Sequence, residues 1–489
     1  MILFVLLAIL LVLIALAFFR ASVTGWGLGT ILTLFFMSSV TRLSDETLLM
    51  LGVGLSGIFV LLGIPWVRRS VLSAPLLRRL QRTLPPFEEV PLTEMGVGGW
   101  EAGIFHGHPD WKQWLSLPKF SLTSTEAEFV QQHVEPLLVL SKESPYSITP
   151  EAEEFIQQHA FDRLTGTQAG EAGLSMQAYT RVVSQLSAQS RITALAINDQ
   201  PLAAAARDVG EMLQCSQRVP VTASTLARTY LVEAALQMTA SASDNGMASC
   251  VTLAAMRHHA QQVVRLSLHE ARGQTAQWHL LEDLEPDLLS RRVFAQGVLR
   301  LHPYLFREIS ALQLKNAELA PLKFDAAVRE HLRYTLSNVA RSWVFGLTGG
   351  KGMLVPGGHE TLCYYQRLTR FSVAFALCCD VVILMVCKTA QRQENLYARL
   401  GEIFAGLYVC AAALKRYEDS NRPKQDLTKL EWAVQDALYQ VQQTFTGLLQ
   451  NMPSVSGWCL KRIIFPFGLT LLPPADVLSE RVITAHAGN

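Results

Sequence analysis

The chain has 489 residues, a formal net charge of +1, 50% hydrophobic residues and 17% charged residues. The charged fraction lies below the average of about 25% for soluble domains, which predicts a membrane portion. A net charge near zero gives no sign of the broad basic surface that nucleic acids need, so we expect no nucleic-acid partner.

Eight cysteines are scattered along the chain without a CxxC pair. Most lie in apolar stretches, where a free cysteine behaves as a small hydrophobe, so we expect reduced thiols with a structural role. The histidines His106, His108, His258 and His259 lack Cys, Asp or Glu partners at the spacing of metal ligands. We therefore expect solvated or capping histidines and no metal site.

Residues 1–70 are predicted to form a transmembrane anchor of two or three helices. Residues 1–19 carry no charge, and two more apolar stretches cover residues 25–40 and 48–67. About 20 apolar residues cross a bilayer core as a helix. A cleavable signal peptide is the weaker interpretation, because the first run has no basic start and cleavage would leave the later stretches unexplained.

Basic residues after the last apolar stretch predict its orientation. Because such residues remain on the cytoplasmic side, the bulk of the chain is expected to be cytoplasmic. The same cations are expected to touch anionic headgroups, at about 1 kcal/mol each. Only Arg42 lies in the preceding turn, whereas the later cluster contains Arg68, Arg69, Arg78, Arg79 and Arg82.

The juxtamembrane segment 71–120 is rich in Pro, Gly and Trp between residues 94 and 118. Its prolines and glycines exclude a long helix there. We expect an ordered loop whose tryptophans pack on a neighbouring domain.

The chain from residue 121 onward has a helical pattern. Thr123 to Glu126 form a start similar to a capping box, and the following segments are rich in Ala, Gln, Leu and Arg. Period-2 runs of β-branched residues, which would indicate strands, are missing. The sequence therefore predicts an all-α protein, with helices over residues 150–160, 176–188, 200–214, 222–240, 247–269, 287–313, 324–345, 359–387, 392–417 and 427–450.

Two further patterns have ordinary structural explanations. Residues Gly349 to Gly352, with Lys351, lack the spacing and the preceding strand of a phosphate loop, so a flexible connection is expected. The helical spacing of an apolar stripe predicts the side of a helix that faces the core. That stripe consists of Phe371, Phe375, Leu377, Val381 and Leu384.

Several longer blocks of sequence carry a family resemblance. They are Ser73-Ala74-Pro75, Leu84-Pro85-Pro86, Trp100-Glu101, Pro109-Asp110-Trp111-Lys112, Phe294 to Gly297, Arg300-Leu301-His302-Pro303-Tyr304, Tyr364 to Arg370, Ala398 to Gly401, Leu414 to Asp419, Trp432 to Tyr439, Leu449 to Asn451, Pro453 and Phe465-Pro466. Together they resemble the large membrane-associated acyl-CoA dehydrogenase of bacterial fatty-acid β-oxidation (the FadE type). The resemblance implies a bacterial inner-membrane location.

The resemblance also implies a domain order with one member missing. Residues 121–218 correspond to an N-terminal helical domain, 219–310 to a remnant of the C-terminal four-helix domain, and 311–489 to a helical extension of the bacterial type. In the family a β-sheet domain lies between the two helical domains. Here residue 214 is followed within a few residues by the start of the C-terminal helices at about residue 222, which leaves no room for that sheet.

The family's chemistry removes the α-proton of an acyl-CoA with a glutamate and passes a hydride to FAD. An ungapped count back from Phe294 places Glu282 on the catalytic glutamate. The family's following glycine is Asp283 here, and an expected arginine is Leu289. The alternative, which we favour, is that Glu282 and its acidic neighbours form the first turn of a helix with Pro286 near its start.

Three functional hypotheses follow from the resemblance. The leading one is a degenerate, membrane-anchored paralogue with weak or no dehydrogenase activity, which binds acyl-CoA or assembles with a full-length relative. The second is an active FAD-dependent enzyme that converts acyl-CoA to trans-2-enoyl-CoA with Glu282 as its base. The third is a membrane scaffold for β-oxidation enzymes. Self-association into a homo-oligomer is compatible with all three.

Overall fold

The computed structural model describes residues 2–40, 63–83, 102–142, 148–159, 174–187, 222–245, 301–314, 318–386 and 390–487, and isolated residues at 46, 49, 50, 52–54, 57, 161, 210, 252 and 316. Every regular element within these residues is a helix, and none of them is in a strand. The predicted all-α fold is confirmed.

Two apolar helices open the chain: α1 (Ile2–Phe18) and α2 (Val23–Val40). Arg20 turns the chain between them in the left-handed conformation, with φ 51°. The short turn makes the helices antiparallel neighbours, and a Cβ at Gly29 would lie 2.6 Å from Leu16 Cδ1. This apolar hairpin leaves large side chains exposed: Leu7, Leu10, Leu11, Leu13, Leu28, Ile31, Leu32 and Phe35.

The remaining helices follow in chain order. They are α3 (Pro65–Arg68), a π-helical turn (Arg69–Ser73), α4 (Ala74–Thr83), α5 (Ala102–Phe105), α6 (Trp111–Ser116), α7 (Ser124–Phe129), a second π-helical turn (Val130–Val134), α8 (Glu135–Lys142), α9 (Pro150–Gln158), α10 (Met176–Ser187), α11 (Ala223–Asp244), α12 (Leu305–Gln313), α13 (Leu319–Thr348), α14 (Leu362–Val386), α15 (Ala390–Asp419), α16 (Lys424–Asn451), α17 (Ser454–Ile464) and α18 (Asp476–Ala487).

The long helices α11 and α13 to α16 stack in layers. α15 packs against both α16 and α11, α14 packs on α15, and α13 packs on the outer side of α14. Their contacts enclose one large apolar core, which contains the fully buried Phe375, Phe404 and Phe445. The predicted stripe on α14 lies in this core through Phe371, Phe375 and Leu377.

Local side-chain chemistry starts several helices. Thr123 and Glu126 form the predicted capping box: the Thr123 hydroxyl accepts from the Glu126 N–H, and the Glu126 carboxylate accepts from the Thr123 N–H. Asp110 caps α6 by accepting from the Gln113 N–H at 3.0 Å. These caps satisfy donors that a helix start leaves free.

The tryptophans of α6 pack inward, as the sequence predicts. Trp111 donates its indole N–H to Thr369 Oγ1 at 2.9 Å on α14. Trp114 is fully buried and donates to the Ala411 carbonyl at 3.0 Å on α15. α6 thus joins the segment 102–118 to the core.

α13 connects the N-terminal part of the chain to this core at two places. Near its middle, Ser337 donates to the Phe18 carbonyl at 3.1 Å. Near its start, Asp325 accepts two hydrogen bonds from Arg68, at 2.8 and 2.6 Å, and one from Ser73 at 2.7 Å. The expectation that Arg68 faces lipid headgroups is therefore wrong, because this side chain is buried in an ion pair.

One helical segment in the described part of the chain, Asn395–Asp419, is long and apolar enough to cross a membrane. Most of it is buried inside the protein, because it forms all but the first five residues of α15, which lies between α11, α14 and α16. The apolar parts of α1 and α2, Leu7–Phe18 and Val23–Ser39, are shorter than this.

Candidate functional site

Three helices bring together a buried cluster of titratable side chains. His302 lies just before α12, His331 lies on α13, and Asp380 lies on α14. Their potential ligand atoms all lie within 4.8 Å of one another. His302 and Asp380 are buried, and His331 is partly buried. We call this group the His–Asp cluster.

Asp380 is the centre of the cluster. Its Oδ1 lies 2.6 Å from His302 Nε2 and 3.4 Å from His331 Nε2, and its Oδ2 accepts from Thr335 Oγ1 at 2.7 Å. Burial alone would raise the pKa of Asp380, but the hydrogen bonds from both histidines hold that pKa below its usual range. The carboxylate is therefore ionised.

His331 lies between two carboxylates. Its Nδ1 is 2.8 Å from Glu308 on α12, and its Nε2 faces Asp380. Burial lowers the pKa of His331, but the hydrogen bonds and charges of these two acids outweigh burial and raise it to about 9. His331 is therefore an imidazolium that links α12, α13 and α14 near neutral pH.

Two histidines and a carboxylate are also a ligand set that a transition metal could use. The tautomer of His302 argues against this use. Its Nδ1 accepts from the Leu305 N–H at 3.1 Å, so its proton is on Nε2 and points at Asp380. A metal ion at Nε2 would have to displace that proton, because a ligating nitrogen offers a lone pair. The cluster therefore fits a hydrogen-bonded charge network better than a metal centre.

Tyr334 connects the His–Asp cluster to the apolar hairpin. Its ring stands edge-on to His302, with the ring centroids 5.5 Å apart. The guanidinium of Arg20, in the turn between α1 and α2, lies 5.4 Å from the centre of the same ring. The Tyr334 hydroxyl donates to the Phe105 carbonyl at 2.8 Å.

Most residues expected at a catalytic site lie outside the described part of the chain. This is true of Glu282, of its neighbours Asp283 and Leu289, and of the pair His258 and His259. The assignment of Glu282 as a base therefore stays a prediction.

His106 and His108 lie beside the loop that follows α5. His108 exposes part of its side chain but contacts Arg341 through its Nε2, and burial lowers its pKa to about 3. His106 is partly buried, and burial lowers its pKa to about 4. Neither is therefore the freely solvated histidine that the sequence predicts.

Gly349 to Gly352 close the C-terminus of α13. Gly349 has φ 66° and caps the helix by donating from its N–H to the Phe345 carbonyl. Since a helix rather than a strand precedes it, the segment is a connection between helices and not a phosphate loop.

The densest of the family-like blocks, Leu414 to Asp419, serves packing. Lys415 is buried and forms an ion pair with Asp419 at 2.9 Å. Arg416 forms an ion pair with Glu233 on α11 at 3.0 Å. Tyr417 donates to Glu360 at 3.2 Å. Lys415 therefore links two successive turns of α15, whereas Arg416 and Tyr417 link α15 to neighbouring segments. The block has a structural role.

Beside this block lies a cavity of about 270 Å³ that opens between α11 and α15. Lys119, Lys415, Arg416 and Asp419 are among the residues that line it. Ligand pockets usually hold about 300–1,000 Å³, and FAD is a large ligand for that range. The described residues around this cavity therefore do not fit FAD, and we derive no flavin step from them.

Sequence reasoning missed the His–Asp cluster. His302 was singled out only as part of a family-like block, and its partners lie on other helices. No spacing rule relates residues so far apart in the chain. The one available signal was charge: Glu308, His331 and Asp380 interrupt otherwise apolar or helix-forming runs.

Comparison with known proteins places this region in a family. Residues 299–488 match the family model described as "Acyl-CoA dehydrogenase, C-terminal, bacterial type". This range contains the whole His–Asp cluster and all helices from α12 onward. No solved structure matches the chain significantly. The match shows that residues 299–488 are similar to the C-terminal domain of acyl-CoA dehydrogenases of the bacterial type.

Proposed function

We propose that this chain is a membrane-anchored member of the acyl-CoA dehydrogenase family, linked to fatty-acid β-oxidation, with weak or no dehydrogenase activity of its own. The match of residues 299–488 to the bacterial-type C-terminal domain carries the proposal. Its role is to bind acyl-CoA or to assemble with a full-length relative.

Loss of activity is argued from the sequence around residues 214–222. The chain there leaves no space for a sheet domain that would cover one side of a flavin. A base without a hydride acceptor performs no dehydrogenation, because the cofactor carries that step.

The geometry of the apolar hairpin supports the proposed membrane anchor. α1 has 17 residues and α2 has 18, or about 26 Å each, slightly less than a bilayer core of about 30 Å. The turn between α1 and α2 contacts α13, so the C-terminal end of α2 lies far from the helical domain. The chain returns by Gly63, whose added Cβ would lie 3.4 Å from Val23 at the domain end of α2. This return favours three membrane segments over two.

Cysteine labelling in intact cells tests the anchor. Cys363 and Cys459 are exposed on the helical domain, and a cysteine at residue 44 would lie in the turn between the second and third segments. We expect an impermeant maleimide to label S44C from outside. Cys363 and Cys459 should react only after the inner membrane is permeabilised. Labelling of all three in intact cells would contradict the proposed orientation.

Calorimetry with the detergent-solubilised protein tests the substrate class. We expect a saturable heat with a long-chain acyl-CoA and much weaker binding of free coenzyme A or of the free fatty acid. If the preparation instead turns over acyl-CoA, and Glu282→Gln abolishes that turnover, the active-enzyme hypothesis replaces ours. Retention of β-oxidation enzymes without any acyl-CoA binding would favour the scaffold.

A further inference from the structure

Two arginines without a carboxylate partner lie where the turn after α1 meets α13. Among the described residues, neither Arg20 nor Arg341 forms an ion pair. Arg341 is 6% exposed, donates to the Gly107 carbonyl at 2.9 Å and contacts Nε2 of His108, so its partners are uncharged acceptors and not a carboxylate. Arg20 lies over the ring of Tyr334, and its Nε has no acceptor. A buried cation without a counter-charge is costly, often by several kcal/mol.

Unpaired polar atoms surround these arginines. Asn338 is fully buried, and neither atom of its side-chain amide has a partner in hydrogen-bonding geometry. The buried hydroxyl of Ser342 also has none, nor has Nε of Arg333. Each unpaired buried group costs about 1–3 kcal/mol, so a native protein normally supplies a partner.

The groups share one short stretch of α13. Arg341 and Asn338 both lie next to Gly107. The Gly107 carbonyl accepts from Arg341, and a Cβ added to Gly107 would lie 3.2 Å from Asn338 Oδ1. Arg20 lies over Tyr334, which precedes Asn338 by one helical turn. Ser342 follows Asn338 by one turn. The donors therefore span about two turns of the helix.

We propose that Arg20, Asn338, Arg341 and Ser342 form a binding site for a phosphate group. Guanidinium groups bind phosphate oxygens with paired, charge-assisted hydrogen bonds, and the amide and hydroxyl add neutral donors. A phosphate would supply the missing negative charge and would accept from the unpaired donors, which are Arg20 Nε, the Asn338 amide N–H and the Ser342 hydroxyl.

Two sources could deliver that phosphate. One is the headgroup of a phospholipid, since Arg20 ends the first apolar run at the depth where headgroups would lie. This source rests on the proposed anchor. The other is free inorganic phosphate, which does not depend on the anchor.

Thermal unfolding of the delipidated protein in a maltoside detergent tests the site. Inorganic phosphate and short-chain phosphatidylglycerol are titrated separately. We expect at least one of them to raise the unfolding midpoint by about 2 °C or more near saturation. A rise with the lipid alone identifies a headgroup site. A rise with inorganic phosphate, alone or as well, identifies a site open to free phosphate.

The variants Arg341→Met and Asn338→Leu decide whether the named residues cause the rise. Without ligand, Asn338→Leu should unfold at a midpoint similar to or above that of the unchanged protein, since it replaces an unpaired amide by an apolar side chain. Arg341→Met removes a buried charge but also the hydrogen bond to the Gly107 carbonyl, so its midpoint should be similar to or slightly below that of the unchanged protein. Both should lose the ligand-induced rise, while Arg329→Met, at an exposed position on the same helix, should keep it. No rise in the unchanged protein, or an equal rise in both variants, would overturn the proposal.

Discussion

Asp325 and Asp380 are buried carboxylates that remain ionised for the same physical reason. Burial alone would raise the pKa of each, yet hydrogen-bond donors hold both pKa values below the usual range. For Asp325 the donors are Arg68 and Ser73. For Asp380 they are His302 and His331. Both carboxylates thus pair with basic side chains from other segments of the chain.

The elevated pKa of His331 predicts how stability depends on pH. Its folded pKa of about 9 exceeds the unfolded value of about 6.5, so folding favours the protonated ring. The contribution is complete below pH 6.5 and is lost as the pH rises from 6.5 to about 9. By linkage it is on the order of 3 kcal/mol. Denaturant unfolding at several pH values measures it.

The variant His331→Gln isolates this effect. Glutamine cannot take up a proton, so stability of the variant should fall much less between pH 6.5 and 9 than that of the unchanged protein. His359→Gln, at an exposed position, should retain the full pH dependence. An unchanged slope in His331→Gln would show that another group titrates in this range.

The partners of His331 could not be predicted from the sequence. Local chemistry is readable when the interacting residues are close in the chain, as for the capping box of Thr123 and Glu126. The bonds of His331 to Asp380, and of Arg68 to Asp325, depend on how whole helices pack. Sequence reasoning therefore placed Arg68 at lipid headgroups, although the structure buries it.

α13 is the element on which the molecule's connectivity depends. It contacts α1, the stretch from α3 to α4, α12, α14 and α17. The Arg68–Asp325 pair joins it to the segment that follows the third apolar stretch. Loss of that pair should therefore weaken the attachment of the segment 65–83 to the helical domain.

Asp325→Ala should lower the free energy of unfolding by about 3–5 kcal/mol, because it removes the carboxylate that neutralises the buried Arg68 guanidinium. The double variant Arg68→Met with Asp325→Leu should recover most of this loss. Denaturant titration compares the variants. Arg329→Ala, which removes an exposed pair on the same helix, should change stability by less than about 0.5 kcal/mol. Equal effects of the two alanine variants would contradict the buried attachment.

α6 makes a second attachment, through Trp114. Replacing Trp114 by Phe removes its hydrogen bond to the Ala411 carbonyl and leaves a small cavity, so stability should fall by about 2 kcal/mol. Trp458→Phe is the matched control, because Trp458 is 62% exposed and should tolerate the change. Thermal unfolding separates the two. Similar midpoints for both variants would place Trp114 outside the core.

Helix prediction worked best for long, strongly periodic segments. The predicted helices at 324–345, 359–387, 392–417 and 427–450 correspond to α13, α14, α15 and α16. α17 and α18 were missed. They are short, and α17 begins with Ser, Val, Ser and Gly, which give a weak helical signal. Their stability comes from packing on α13 and α16, which the sequence does not display.

At the scale of the whole molecule, an exposed apolar hairpin adjoins a layered helical domain. An exposed apolar surface of this extent is unfavourable in water and favours a lipid environment. The helical domain contains the family-matching residues 299–488, whose buried charges bind helices to one another. In the described part of the chain, the His–Asp cluster and the block Leu414 to Asp419 both connect helices through buried charges.

The central proposal is that this protein, whose residues 299–488 match the bacterial-type C-terminal domain of acyl-CoA dehydrogenases, does not carry out flavin-dependent dehydrogenation by itself. An absorption spectrum of the purified full-length protein, before and after anaerobic addition of a long-chain acyl-CoA, tests it most directly. The account predicts no visible flavin band and no change on addition, even after incubation with excess FAD and removal of the unbound cofactor. A stoichiometric flavin band that bleaches with acyl-CoA would contradict it.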